Sequence, residues 1–248
     1  MRIPIIAFFC FYIFNVDAQT INYFEFEMGP KVDRYNAVGN KNVKGLLPIG
    51  IGAGVSLGKM LSEKSYFEVG LFKNDYSSNF EIISRDLEGQ ELTSKINRLY
   101  PTFSSTQLAL MLGHRLRLSE KWTIYGEAGV HLFVNRRLDR EGSLGINSKT
   151  QNDESGYEEN IYVTIFSNGF ESGSFLLRLN MGCYRDISET MAINFSISAR
   201  GSSVVINEYE IQYTTDSEPQ NQNAKLQTNG SQLGFYLGLK YRISSFSL

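Results

Sequence analysis

Hydrolysis through a serine nucleophile needs a histidine beside the hydroxyl and a carboxylate to orient the histidine. The chain has many serines but only two histidines, His114 and His131. Ser174 and Ser202 share an alternation row with His131, toward the same end of their segments, so a Ser/His pair is geometrically open there. With so many serines, such a coincidence carries little weight. Two cysteines and two histidines cannot build the paired Cys/His motifs of a zinc site. The acidic pairs Asp153-Glu154 and Glu158-Glu159 lack the spacing of an EF-hand calcium loop. Lys and Arg total 24 against 26 Asp and Glu, a net charge of −2, which excludes an electrostatic nucleic-acid binder. No cofactor motif stands out. The strongest chemical signal is a set of charges lying on rows of otherwise small or polar residues: Glu25, Glu27, Glu68 and Glu127 with Arg115, Arg117, Arg178, Arg200, Lys240 and Arg242.

Those rows come from strict period-two alternation. In residues 122–134, Trp122, Ile124, Val130, Leu132 and Val134 alternate with Thr123, Tyr125, Glu127 and His131. One face is oily and the other polar or small, as in a strand between two environments. The same pattern predicts strands at 20–28, 48–58, 65–73, 106–118, 174–186, 191–205 and 233–243, eight in all. Three connections are tight and alike, Leu61-Ser62-Glu63-Lys64, Leu118-Ser119-Glu120-Lys121 and Ile187-Ser188-Glu189-Thr190. The other four, 29–46, 74–105, 135–173 and 207–231, are long, and the two kinds alternate along the chain.

The first 18 residues place Arg2 before an apolar run from Ile5 to Phe14 and then Val16-Asp17-Ala18. This is the layout of a secretory signal cleaved after Ala18, leaving 19–248 as one domain with Cys183 as its single cysteine. An export signal, eight alternating strands, and short turns opposite long loops define a transmembrane β-barrel. The chain resembles the small eight-stranded bacterial outer-membrane barrels typified by OmpX and the barrel of OmpA, and within them the Bacteroidota type. The likeness lies in topology and alternation over the mature chain. It departs at the C-terminus, where Tyr241 and Ile243 keep phase with the apolar row but Phe246 and Leu248 do not. The resemblance implies an all-β, up-and-down barrel in the outer membrane, in contact with lipid and lipopolysaccharide, monomeric and without cofactor. It implies a non-enzymatic role through the loops, in surface binding, adhesion or envelope structure, with an extracellular or envelope protein as partner. Lipid-A-modifying enzymes, accessory barrels of secretion complexes and small-solute pores share the architecture and stand as alternatives.

Physics decides which row faces lipid. A soluble carrier with its apolar rows inward would present a charged exterior. Here the polar rows are rich in Gly50, Gly52, Gly54, Gly58, Gly182, Gly234, Ser196 and Ser198, which suit a crowded interior. The row charges are therefore expected inside, paired in a lumen just wide enough for side chains. Glu127 with Arg115 is one expected pair. Phe67, Trp122, Tyr184 and Tyr241, next to the tight turns, are expected to form an interfacial girdle. Lys31, Arg34, Lys41 and Lys44 against Asp33 give the first long loop a basic excess that suits lipid phosphates. Alternation also runs before the sixth strand, in 157–166, and after the seventh, in 204–214. These segments should pair as a protruding ribbon, with Tyr162 near Thr215 and Phe166 near Ile211. Tyr162, Phe166, Tyr209, Ile211 and Tyr213 form its candidate binding face.

Overall fold

The computed structural model describes residues 22–77, 79–85, 89, 91–96, 101–138, 143–151, 158–167 and 175–243. The expected signal sequence, Asp153-Glu154, Ser174, Phe246 and Leu248 lie outside the described residues. The strands in chain order are β1 Tyr23–Asp33, β2 Asn36–Val38, β3 Val43–Gly45, β4 Ile49–Met60, β5 Ser65–Ser77, β6 Phe80–Arg85, β7 Glu91–Ile96 and β8 Pro101–Arg117. They continue with β9 Trp122–Leu138, β10 Ser143–Gln151, β11 Glu158–Ser167, β12 Phe175–Asp186, β13 Met191–Gly201, β14 Asn207–Thr215, β15 Gln222–Thr228 and β16 Gln232–Arg242.

Eight of these strands close a barrel in the order β1-β16-β13-β12-β9-β8-β5-β4, with antiparallel neighbours throughout. They are the eight that alternation predicts, several of them longer than expected. Closure leaves no unpaired edge, the condition for a sheet in hydrocarbon. Every barrel strand presents large apolar side chains outward, among them Phe26, Ile51, Leu71, Leu112, Ile124, Leu179, Phe195 and Leu237. Met181 and Ile49 are each 72% exposed, which in water would be a large exposed apolar surface. Trp122 and Tyr241 lie on this outer wall near the turns, as the girdle requires. Tyr184 does not, because it falls on the opposite parity from Met181 and is buried in the lumen.

Glycine and aromatic side chains interlock inside. Tyr23 pairs with Gly58, Tyr66 with Gly113, Phe72 with Gly54 and Tyr125 with Gly182 on neighbouring strands. A Cβ on Gly58 would sit 1.9 Å from the Tyr23 ring, and one on Gly113 2.2 Å from Tyr66. The small residues of the inner rows are spaces for rings from the next strand.

The three tight turns share one construction. In each the serine hydroxyl accepts a hydrogen bond from the amide three residues on: Ser62 from Ser65 at 3.0 Å, Ser119 from Trp122 at 3.2 Å and Ser188 from Met191 at 3.1 Å. That local bond explains the recurrence of serine at one turn position.

The long connections hold the other eight strands. They form a five-stranded sheet, β10-β11-β14-β15-β2, and a three-stranded sheet, β3-β6-β7. Tyr35, Val43, Phe80, Ile82 and Ile96 pack against Ile161, Val163, Ile165, Tyr209, Ile211, Tyr213 and Leu226 as one core. The barrel thus carries a cap with a hydrophobic core of its own.

Candidate functional site

The lumen is filled by named pairs. Lys240 Nζ lies 3.0 Å from Glu25 Oε2 and 3.7 Å from the centre of the Tyr23 ring. Glu25 also accepts from Asn194 Nδ2, whose Oδ1 accepts from Tyr125 OH at 2.9 Å. Tyr23 OH donates to Glu68 at 3.1 Å. Glu127 accepts from Tyr66 OH at 2.7 Å and from Asn180 Nδ2 at 2.9 Å. Arg178 Nη2 reaches Glu27 Oε1 at 2.6 Å, and its guanidinium lies 4.7 Å from the centre of the Phe72 ring. Arg200 has no carboxylate within ion-pair distance among the described residues; it lies over Phe72 and Tyr236, 5.2 and 5.7 Å from the ring centres.

Three of the ten charges read from the inner rows lie elsewhere. Arg115 and Arg117 stand at the mouth on the turn side, bonded to the backbone carbonyls of Glu63 and of Ser119 and Glu120. The expected Glu127–Arg115 pair is therefore absent. Strand ends outside the narrow lumen can turn long side chains toward the turns, and the turn carbonyls capture them. Arg242, on the same mouth, pairs with Asp186 and bonds the Glu189 carbonyl at 3.2 Å. Conversely, Lys31 and Asp33, read as loop charges, form a buried pair at 2.6 Å on the inner face of β1. β1 runs five residues past the expected strand end, and positions 31 and 33 keep its inward parity.

Toward the cap, His131 is fully buried and its Nδ1 lies 3.0 Å from Gln107 Oε1. Gln107 also accepts from Asn74 at 3.2 Å and donates to Tyr76 OH at 3.0 Å. Tyr76, Leu176 and Ile206 form an apolar layer between lumen and cap that sequence reasoning missed. Ser202 Oγ accepts from Val204 N rather than approaching His131. His114 lies on the outer wall, its Nδ1 3.3 Å from Ser65 Oγ on the paired strand. Its Nε2 has no carboxylate partner among the described residues.

The candidate binding ribbon becomes part of the cap. Tyr162 faces Thr214 and Phe166 faces Glu210, one residue off the expected register. A one-residue slip exchanges faces. Tyr209, Ile211 and Tyr213 are therefore core, 3%, 0% and 2% exposed, while Tyr162 points outward. The ribbon's edges are covered too, by β10 on one side and β15 on the other. On the outer surface, the hydrogen bond and charge of Glu208 hold the Lys225 ammonium above its ordinary pKa.

A closed barrel with an apolar exterior and a polar, packed interior defines a transmembrane β-barrel. No family model matches the chain, and no curated protein matches it in sequence. Among solved structures it is similar to the outer membrane protein OprG of Pseudomonas aeruginosa, at 13% identity over 92% of this chain and 99% of that one, with a TM-score of 0.48. Neisserial surface protein A matches at 9% identity over 89% and 97% of the two chains, TM-score 0.44. Ail of Yersinia pestis, solved with the heparin analogue sucrose octasulfate, matches at 12% identity over 90% and 99%, TM-score 0.33. The barrel stands on its own strand pairing and apolar belt, independently of these likenesses.

Proposed function

We propose that this chain is an exported bacterial outer-membrane protein, non-enzymatic, that acts in surface binding or envelope structure through its cap. The long connections and cap then face outside, and the three tight turns face the periplasm. The observation that carries the reading is the way the chain divides its structure. The lumen is filled by Arg178, Arg200, Phe72 and Tyr236 and topped by the Tyr76–Leu176–Ile206 layer, while the loops form a folded two-sheet body. A transport role favours an open lumen and an acyl-transfer role a complete nucleophilic constellation. His131 bonded to Gln107, and His114 beside Ser65 without an acid, support neither.

The test uses intact cells cross-linked before envelope solubilisation. The full chain is compared with a variant whose four long connections are replaced by tight turns. Partners recovered with the full chain and lost with the capless barrel support the reading. Retention of every partner by the capless barrel, or a sustained sugar-permeable conductance of the purified protein in planar bilayers, overturns it.

A further inference from the structure

At the turn end the lumen opens into a cavity of about 630 Å³. Its basic side chains come in two pairs. Arg115 and Arg117 stand two residues apart on β8, and Lys240 and Arg242 two residues apart on β16. In the cyclic strand order β8 and β16 are four places apart in a ring of eight, so the pairs face one another across the mouth. Lys64, from the first tight turn, also lines the cavity, and the acids lining it are Glu63 and Asp186.

These charges are unevenly satisfied. Arg242 is engaged by Asp186, and Lys240 by Glu25 on the lumen side. Arg115, Arg117 and Lys64 have no carboxylate within ion-pair distance among the described residues. The two arginines are held by backbone carbonyls instead: Arg115 Nε to Glu63 O at 3.0 Å, Arg117 Nε to Ser119 O at 3.1 Å and Arg117 Nη2 to Glu120 O at 2.8 Å. A carbonyl fixes a guanidinium without neutralising it. The mouth therefore holds positioned positive charge whose ordering cost is partly met before any ligand arrives. Tyr23 and Tyr184 lie at the inner end of the cavity, beside the Lys240–Glu25 pair, so a ligand would be stopped at the mouth.

We propose that this mouth is a binding site for a phosphate-bearing group. Guanidinium donors match phosphate oxygens in a planar fork, and donors from opposite walls suit a group with several anionic oxygens. The cavity has the size of a small-molecule site. The ligand is a phosphorylated solute or the headgroup of a phospholipid in the adjacent leaflet, which share this chemistry. That the mouth meets periplasmic rather than external ligands rests on the topology proposed above; the site itself does not.

Isothermal titration of the purified full chain, folded in a phosphate-free nonionic detergent, tests the site with inorganic pyrophosphate and with short-chain phosphatidic acid. The comparison proteins are the double variant Arg115→Gln/Arg117→Gln and, as a surface-charge control, Lys225→Gln. Saturable binding of one equivalent, weakened at least tenfold in the double variant and unchanged in the control, is expected. Tighter binding of pyrophosphate assigns a solute, and tighter binding of phosphatidic acid a headgroup. Absence of saturable binding to either probe, or equal binding by the double variant, overturns the proposal. Heat-modifiable electrophoretic mobility checks that the variant folds. Arg117→Gln alone, whose exposed side chain bonds only turn carbonyls, replaces it if it does not. Because the titration uses detergent, a failed localisation experiment leaves its outcome independent.

Discussion

Arg178 of β12 spans the lumen to Glu27 of β1, Nη2 to Oε1 2.6 Å, past the two intervening strands β13 and β16. Both side chains are almost wholly buried, so each needs the other. Removing one partner strands a charge, which costs roughly 3–5 kcal/mol in buried pairs, whereas replacing both with apolar groups is often tolerated. Arg178→Met and Glu27→Leu should each lower the denaturant midpoint of the purified barrel markedly. Arg178→Met combined with Glu27→Leu should lower it less than either. Strictly additive losses in the double-mutant cycle would mean that the two side chains do not act as a pair.

The glycine rows make a sharper packing prediction. Gly58 lies beneath the Tyr23 ring, so even one added methyl group must displace it; overpacking of this kind costs about 1–3 kcal/mol. Gly126, on the outer parity of β9, has no atom within 4 Å of an added Cβ. Gly58→Ala should be destabilising in chemical unfolding, and Gly126→Ala neutral or mildly stabilising. Equal behaviour of the two variants would refute the interlocking of rings and glycines.

The barrel was legible in the sequence because hydrocarbon on one side and a packed polar lumen on the other force unbroken alternation along each strand. Phe24, Phe26 and Met28 against Glu25 and Glu27 admit one reading. The cap was not legible as a second body. β2 and β3 have three residues each, too few for periodicity to register, and β6 and β7 sit inside a connection. The ribbon's register differs from the expected one for two reasons. The tight turn closes between Ile187 and Met191, so hairpin partners sum to 378 rather than the 377 of a turn ending at Thr190, and that odd count exchanges the faces. Leu177 then pairs with Gly201 and Ile165 with Ile211, so twelve residues separate the two pairs on one side and ten on the other, a two-residue offset that shifts the register but keeps the faces. The lumen charges were legible as a set through parity. Their partners were not, because parity says which side chains point inward but not which of several long ones meet across a barrel.

The cap has a core of its own and is expected to open separately from the barrel. Ile211 is fully buried between the two cap sheets and does not belong to the barrel wall. Ile211→Ala should cost about 2–5 kcal/mol, as for other buried aliphatics, and the loss should fall on the cap. Amide exchange should accelerate across β11, β14 and β15 while β1, β12 and β16 keep their protection. The tyrosines beside it, Tyr209 and Tyr213, should behave the same way when replaced by alanine. Loss of barrel protection in step with cap protection would show one cooperative unit instead of two.

Strand parity sets the orientation. An even number of barrel strands brings both barrel ends to one side, here the side of the three tight turns. In the topology proposed above that side faces the periplasm and the cap faces outside. Asn221, exposed between β14 and β15, and Ser119, exposed in the second tight turn, mark the two ends. In a Cys183→Ala background, Asn221→Cys should react with a membrane-impermeant maleimide on intact cells. Ser119→Cys should react only after the outer membrane is permeabilised. Ser119 accepts the turn-closing hydrogen bond from Trp122 N, so its loss weakens one turn without touching the barrel wall, and Glu120→Cys serves as a second reporter. Labelling of both turn reporters on intact cells, with Asn221→Cys silent, would invert the orientation and transfer the arginine-lined mouth to the cell surface.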